Sequence, residues 1–158
     1  MKEQFENALS GAIGEILDGK PLTLESKCFE DLCDQHKSFI FAYLHSIGMC
    51  DFQNLVDNLD KLVPCGLEML SGEYQEGEYL MVFAVTDRGI KSAVNEIEWY
   101  GCKDTAVYFK KLHNKKHIYE GYLCVDDVIS YRPSFGCKKG WVYLNNKSVA
   151  WIDEIEGE

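Results

Sequence analysis

Proline, long apolar runs and closely spaced cysteine pairs are all scarce in this 158-residue chain. With three prolines and an apolar content of 46%, the composition excludes a disordered Pro-rich chain and predicts a packed core. No run approaches the roughly 18 apolar residues that a membrane-spanning helix needs. Because charged residues interrupt the N-terminal segment, we expect no signal peptide and a cytoplasmic protein.

The patterns of metal and nucleotide chemistry are also missing. The seven cysteines are irregularly spaced, without a Cys-x2-Cys pair, which argues against zinc and predicts free thiols in a reducing compartment. On a helix, Cys33 and His36 would converge while Cys28 would lie on a different face, and a fourth ligand is lacking. Neither glycine-rich nucleotide-binding pattern occurs, so we expect no metal and no cofactor.

Charge is distributed unevenly along the chain. Residues 1–78 hold 15 acidic and five basic residues, a net charge of −10, whereas residues 79–158 hold 11 of each. An acidic surface attracts basic proteins and repels nucleic acids and anionic membranes. We therefore expect a basic protein partner, with neither direct nucleic-acid binding nor membrane binding.

Hydrophobic periodicity predicts one α+β domain over residues 1–158. Residues 1–70 form a helical layer of three helices in this interpretation, and residues 79–152 form a mainly β layer. Helices followed by hairpins predict helices on one face of an antiparallel sheet. The predicted helices extend from Phe5 to Leu17, from the Thr23 cap to Ile47, and from the Asp51 cap to Val63.

The second half has strand-like runs separated by turn residues. Residues 79–86 are an unbroken β-favouring run, and residues 90–100 have helical spacing. Four further strands are predicted as two hairpins, because Asn and Lys residues separate them and Asn tolerates positive φ. These hairpins pair residues 105–112 with 118–125 around His113–Lys116, and 141–144 with 148–152 around Asn145–Lys147.

The acidic first half supplies the candidate site. Carboxylates three or four residues apart on a helix lie about 5–6 Å from each other and form rows of charge. Such rows resemble the phosphates of DNA, so we expect a small acidic inhibitor that occupies a basic, nucleic-acid-handling site on a partner protein. By size and charge, toxin immunity proteins and phage anti-defence inhibitors are analogous, although an ordinary solubilising face explains the charge as well. The candidate residues are Glu30, Asp31, Asp34, Asp57, Asp60, Glu73, Glu76 and Glu78.

Two alternatives remain open. One is a small intracellular enzyme with a Cys/His site, and the other is an adaptor that binds through aromatic residues of the C-terminal hairpins. The lysines of residues 108–119 are interpreted as guards of an exposed sheet edge rather than as a nucleic-acid-binding ribbon. Glu96 and Glu98 are interpreted as solvated charges. The Cys/His candidates are Cys102, His113, His117 and Cys137.

Overall fold

The predicted α+β layout is present in the computed structural model, which describes residues 2–65, 77–87, 89, 96–133, 141–145 and 149–155. The α-helices are α1 (Lys2–Leu17), α2 (Asp34–Ser46), α3 (Phe52–Asp57) and α4 (Lys103–Leu112), with 3-10 turns at Lys27–Phe29, Leu59–Lys61 and Val125–Asp127. The strands are β1 (Tyr79–Thr86), β2 (Glu98–Tyr100), β3 (His117–Cys124), β4 (Val128–Pro133), β5 (Trp141–Asn145) and β6 (Ala150–Ile155). They form one sheet in the order β4-β5-β2-β1-β3-β6, and every neighbouring pair is antiparallel.

The second helix begins later than predicted. Helix α2 starts at Asp34, and the preceding segment is a series of turns that includes the 3-10 turn Lys27–Phe29. The Ser26 hydroxyl accepts a hydrogen bond from the Thr23 N–H at 2.9 Å and closes a local turn instead of a helix. Phe29 is nevertheless fully buried, so the segment contributes to the core without helical backbone.

The third helix has the predicted cap and ends early. Asp51 accepts from the Gln53 N–H at 3.1 Å, which confirms its capping role. At the other end, the Asn58 side chain donates to the Asn54 carbonyl at 2.7 Å, and the Asn58 N–H bonds to the Leu55 carbonyl instead. This tighter bonding replaces the α-helix with a 3-10 turn before Val63 is reached.

The prediction of a strand over residues 105–112 was wrong, because these residues belong to α4. Thr105 and Ala106 are buried while Lys103 and Lys111 are exposed, which is an amphipathic helical pattern. Its aromatic and β-branched residues favour a strand intrinsically, but packing overrides that preference. Helix α4 packs on a cluster formed by Phe83, Tyr100, Ile118 and Val142.

Neither predicted hairpin forms. Strand β3 pairs with β1 and β6, since residues 105–112 are helical. Strands β5 and β6 exist close to the predicted positions, but β5 lies between β4 and β2 whereas β6 lies at the opposite end of the sheet. The helix predicted over residues 90–100 is wrong at its end, where residues 98–100 form β2, and its residues 90–95 lie outside the described residues. The turn residues between β5 and β6 do not determine which strands each of them pairs with.

The core occupies both faces of the sheet. Val82 and Trp99 pack with Phe39 of α2, whereas Phe83 and Tyr100, which point to the opposite face, pack with Ala106 of α4. The expectation of helices on one face was therefore wrong for α4. The described helices include none that is long and apolar enough to cross a membrane. The six cysteines that the structure describes are free, as predicted, and Cys137 lies outside the described residues.

Candidate functional site

The described candidate carboxylates all face solvent. Glu73 and Glu76 lie outside the described residues. Asp34 lies in the first turn of α2, where its negative charge interacts favourably with the helix dipole. Asp57 accepts a hydrogen bond from Gln53 Nε2 at 2.8 Å. The exposed carboxylates are Glu30, Asp31, Asp34, Asp57, Asp60 and Glu78.

Five of these carboxylates belong to neighbouring segments. Asp34 lines a hollow of about 320 Å³ together with Lys37 and Lys61, and Asp60 directly precedes Lys61. The first turn of α2 and the 3-10 turn after α3 therefore meet at this hollow, whereas Asp31 lines a separate hollow beside α1. We call the surface formed by Glu30, Asp31, Asp34, Asp57 and Asp60 the acidic helical surface.

Glu78 belongs to another part of the molecule. It directly precedes β1, and its carbonyl accepts from the Val125 N–H at 2.9 Å. Asp126 lies beside it in the same turn region and accepts from the Gly77 N–H at 3.1 Å. The structure thus associates Glu78 with the β layer rather than with the acidic helical surface.

The structure separates two of the Cys/His candidates, Cys102 and His113. Cys102 caps the start of α4 and His113 caps its end, so a ten-residue helix of about 15 Å separates them. His117 Nδ1 lies 2.9 Å from Glu154 Oε2, and Cys137 is outside the described residues.

Three thiols elsewhere are poorly suited to nucleophilic attack. Burial, together with a hydrogen bond to Glu15, raises the pKa of Cys28 to about 12. Burial also raises the pKa values of Cys50 and Cys124. Since the thiolate is the reactive form, these three cysteines fit a packing role.

The lysines of residues 108–119 do not guard a sheet edge, contrary to expectation. Lys110 and Lys111 lie in the last turn of α4, and Lys115 Nζ lies 3.7 Å from Asp87 Oδ2. The terminal strands of the described sheet are β4 and β6, and β6 carries the exposed carboxylates of Asp153 and Glu154. Acidic rather than basic side chains therefore occupy this edge.

A polar cluster inside the fold brings together three residues that are distant in sequence and were not predicted to be in contact. The Ser46 hydroxyl donates to Glu98 Oε1 at 3.2 Å and accepts from Arg132 Nε. Burial raises the pKa of Glu98, and the Arg132 charge and the Ser46 hydrogen bond partly offset that rise. Glu98 is therefore a partly buried member of a central strand, not a solvated charge, and the cluster joins the end of α2 to β2 and β4.

Exposed aromatic side chains lie close together near the β6 end of the sheet, opposite β4. Trp151 is 67% exposed, and its ring centroid lies 5.3 Å from that of Tyr79 and 5.7 Å from that of Tyr122. Met81 pairs with Tyr122 across β1 and β3 and is 47% exposed. We call these four residues the aromatic patch. Exposed aromatic residues were expected on the C-terminal hairpins, but Tyr79 and Met81 of the patch lie in β1.

Metal chemistry finds no support in the part of the chain that the structure describes, where no group of three or more His, Cys, Asp or Glu residues could hold an ion. Comparison with known proteins gives no relative: no protein-family model, no curated protein and no solved structure matches the chain. Its function is therefore inferred from its own surfaces.

Proposed function

We propose that this protein binds a basic partner protein through the acidic helical surface and thereby covers a site at which that partner handles nucleic acid. The observation that carries the proposal is the exposure of all five carboxylates, within residues 30–34 and 57–60 of a region with a net charge of −10. Carboxylates in such a position are free to meet the cationic side chains of another protein.

Charge spacing supports a nucleic-acid-handling partner. Duplex DNA carries one charge per ~1.7 Å of its axis, and a protein that reads it presents a matching density of Lys and Arg. Asp57 and Asp60 lie three residues apart across the end of α3, and Glu30 and Asp31 are adjacent in the turn before α2. Each pair therefore offers two closely spaced anionic groups to cationic side chains of a partner.

The two lysines of the hollow add selectivity. Lys37 and Lys61 interrupt the negative surface, so a uniformly basic partner meets two like charges there. A fitting partner leaves room for these lysines or supplies carboxylates of its own. Such repulsive elements distinguish one partner from another.

Charge reversal within this surface tests the proposal. We would compare wild type with Glu30→Lys/Asp31→Lys and with Asp57→Lys/Asp60→Lys, and avoid Asp34 because its charge stabilises the start of α2. Lys103→Glu/Lys111→Glu on α4 is the matched control, since both lysines are exposed and lie on a different helix. Each protein is immobilised and used to capture partners from an extract of the cells that make it.

We expect wild type and the α4 control to capture the same basic protein, and at least one acidic variant to lose about tenfold or more in affinity for it. Duplex DNA added in excess should displace the captured protein, because both compete for one site. Capture that survives both acidic double variants, or that DNA does not affect, would overturn the proposal.

A further inference from the structure

Strand β6 contains a bulge at which Trp151 adopts an unfavourable backbone conformation. Glu120 pairs with Asp153 and Tyr122 pairs with Ala150, so Gly121 alone faces both Trp151 and Ile152. Trp151 has φ +52°, in the left-handed region where bulges of this kind favour glycine. A bulky residue held in that region is a backbone outlier, and such outliers concentrate at functional sites.

The strained backbone places the indole of Trp151 on an open part of the sheet. Tyr79 and Met81 share a face with Phe83 because side chains alternate along β1. Helix α4 covers Phe83 and its neighbours, whereas Tyr79 is 48% exposed. The aromatic patch is thus the uncovered continuation of a face whose other part is core.

The same strand offers backbone hydrogen-bonding groups. Among the described strands, β6 pairs with β3 alone and ends the sheet, so its outer edge faces away from the other strands. Asp153 and Glu154 are both exposed along it. Glu154 is hydrogen-bonded to His117. Asp153 lies two residues from Trp151, so it is the exposed carboxylate closest to the indole in sequence.

These observations favour one kind of occupant. A second copy of β6 would place the Asp153 and Glu154 carboxylates against identical charges, which disfavours self-pairing. A strand with Arg or Lys instead meets opposite charge at Asp153 and a π face at Trp151, where cations bind favourably. We propose that an extended, Arg- or Lys-bearing segment of a partner protein adds to the edge of β6 and places a cationic side chain over Trp151.

This second surface is independent of the acidic helical surface. It lies at the opposite end of the sheet from β4, the strand against which α2 packs. Main-chain hydrogen bonds along the edge would supply affinity, and the aromatic patch with Asp153 would supply selectivity for the added strand.

A labelled peptide of alternating arginine and valine is the probe, measured by fluorescence anisotropy against the full chain. One control peptide has glutamate in place of arginine, and the other keeps the arginines but has proline in place of valine, which removes the N–H groups needed for strand addition. The main protein variant is Trp151→Gly, because glycine suits φ +52° and removes the indole. Tyr79→Ala is a second patch variant that leaves the bulge intact, and Leu112→Ala is the control because this leucine is 59% exposed on α4.

We expect wild type and Leu112→Ala to bind the arginine–valine peptide equally, Trp151→Gly to bind it at least about tenfold more weakly, and Tyr79→Ala to fall between them. Neither control peptide should bind. Equal binding by Trp151→Gly and Tyr79→Ala, or equal binding of the proline peptide, would overturn the proposal. So would a wild-type dimer in sedimentation that Trp151→Gly dissociates. Asp57→Lys/Asp60→Lys should retain the peptide, so failure here is distinguishable from failure of the proposed function.

Discussion

Two tryptophans of one sheet occupy opposite environments. Trp99 lies in β2, near the centre of the sheet, where it is fully buried and its Nε1 donates to the Glu96 carbonyl at 2.9 Å. Trp151 lies in β6 at the end of the sheet and is 67% exposed. The same side chain therefore fills the core in one strand and forms surface in the other, and strand order decides which.

Truncating the two tryptophans should have very different effects on stability. Trp99→Ala leaves a cavity in the core and should lower the free energy of unfolding by about 3–5 kcal/mol. Trp151→Ala removes surface contacts and should cost less than about 1 kcal/mol. Urea unfolding of both variants measures the difference, and similar costs would contradict the burial described for Trp99.

Substitution of Gly121, which faces the bulge in β6, should have a smaller effect on stability than truncation of Trp99. A Cβ at Gly121 would lie 2.6 Å from Val149 Cγ1, so Gly121→Ala must displace a packed side chain and should destabilise the protein by about 1–3 kcal/mol. Gly14 on α1 is the control, because a Cβ there meets nothing within 4 Å. Gly14→Ala should stabilise by about 0.4–1 kcal/mol. Thermal melts that show the same sign for both changes would contradict the close approach at Gly121.

The raised pKa of Glu98 predicts that the free energy of unfolding depends on pH. Because burial raises the pKa of this carboxyl in the folded protein above its ordinary value of 4.5, its contribution to stability is complete below pH 4.5 and decreases as pH rises through the raised pKa. Glu98→Gln should therefore gain stability relative to wild type between pH 4.5 and neutrality. Ser46→Ala removes a hydrogen bond that lowers the pKa and should steepen the decrease. Urea unfolding across this range checks both signs, and parallel wild-type and Glu98→Gln profiles would contradict the shift.

Local signals predicted several elements correctly. The β-favouring run over residues 79–86 coincides with β1, and apolar residues at every fourth position from Phe5 to Leu17 indicate α1. Asp51 caps α3 as its short carboxylate side chain predicts. In each of these cases, neighbouring residues along the chain contain the information.

Non-local packing determined the elements that local sequence patterns do not predict, α4 and β2. Aromatic and β-branched residues of α4 favour a strand until the sheet offers the helix an apolar face. Strand β2 has three residues and depends on pairing with both β1 and β5. No local pattern reports that pairing.

In the candidate sites too, some features were predictable from local sequence and others depend on long-range packing. The exposure of Asp31 and Asp57 was predictable from charge alone, whereas the approach of Asp34 and Lys61 at one hollow depends on long-range packing. The outlier at Trp151 was not predictable, since its positive φ arises from the register between β3 and β6. Ser46 and Arg132 are 86 residues apart in sequence, so their contact leaves no local signal either.

The position of β6 has a consequence for exchange with solvent. A strand with a single described neighbour can open without separating the other strand pairs, so its amides should exchange at a lower opening free energy than those of β1. Strand β1 is held by β2 on one side and by β3 along its full length. The sheet thus has a strand of low local stability at one end, so β6 can separate from β3 while the central strands remain paired.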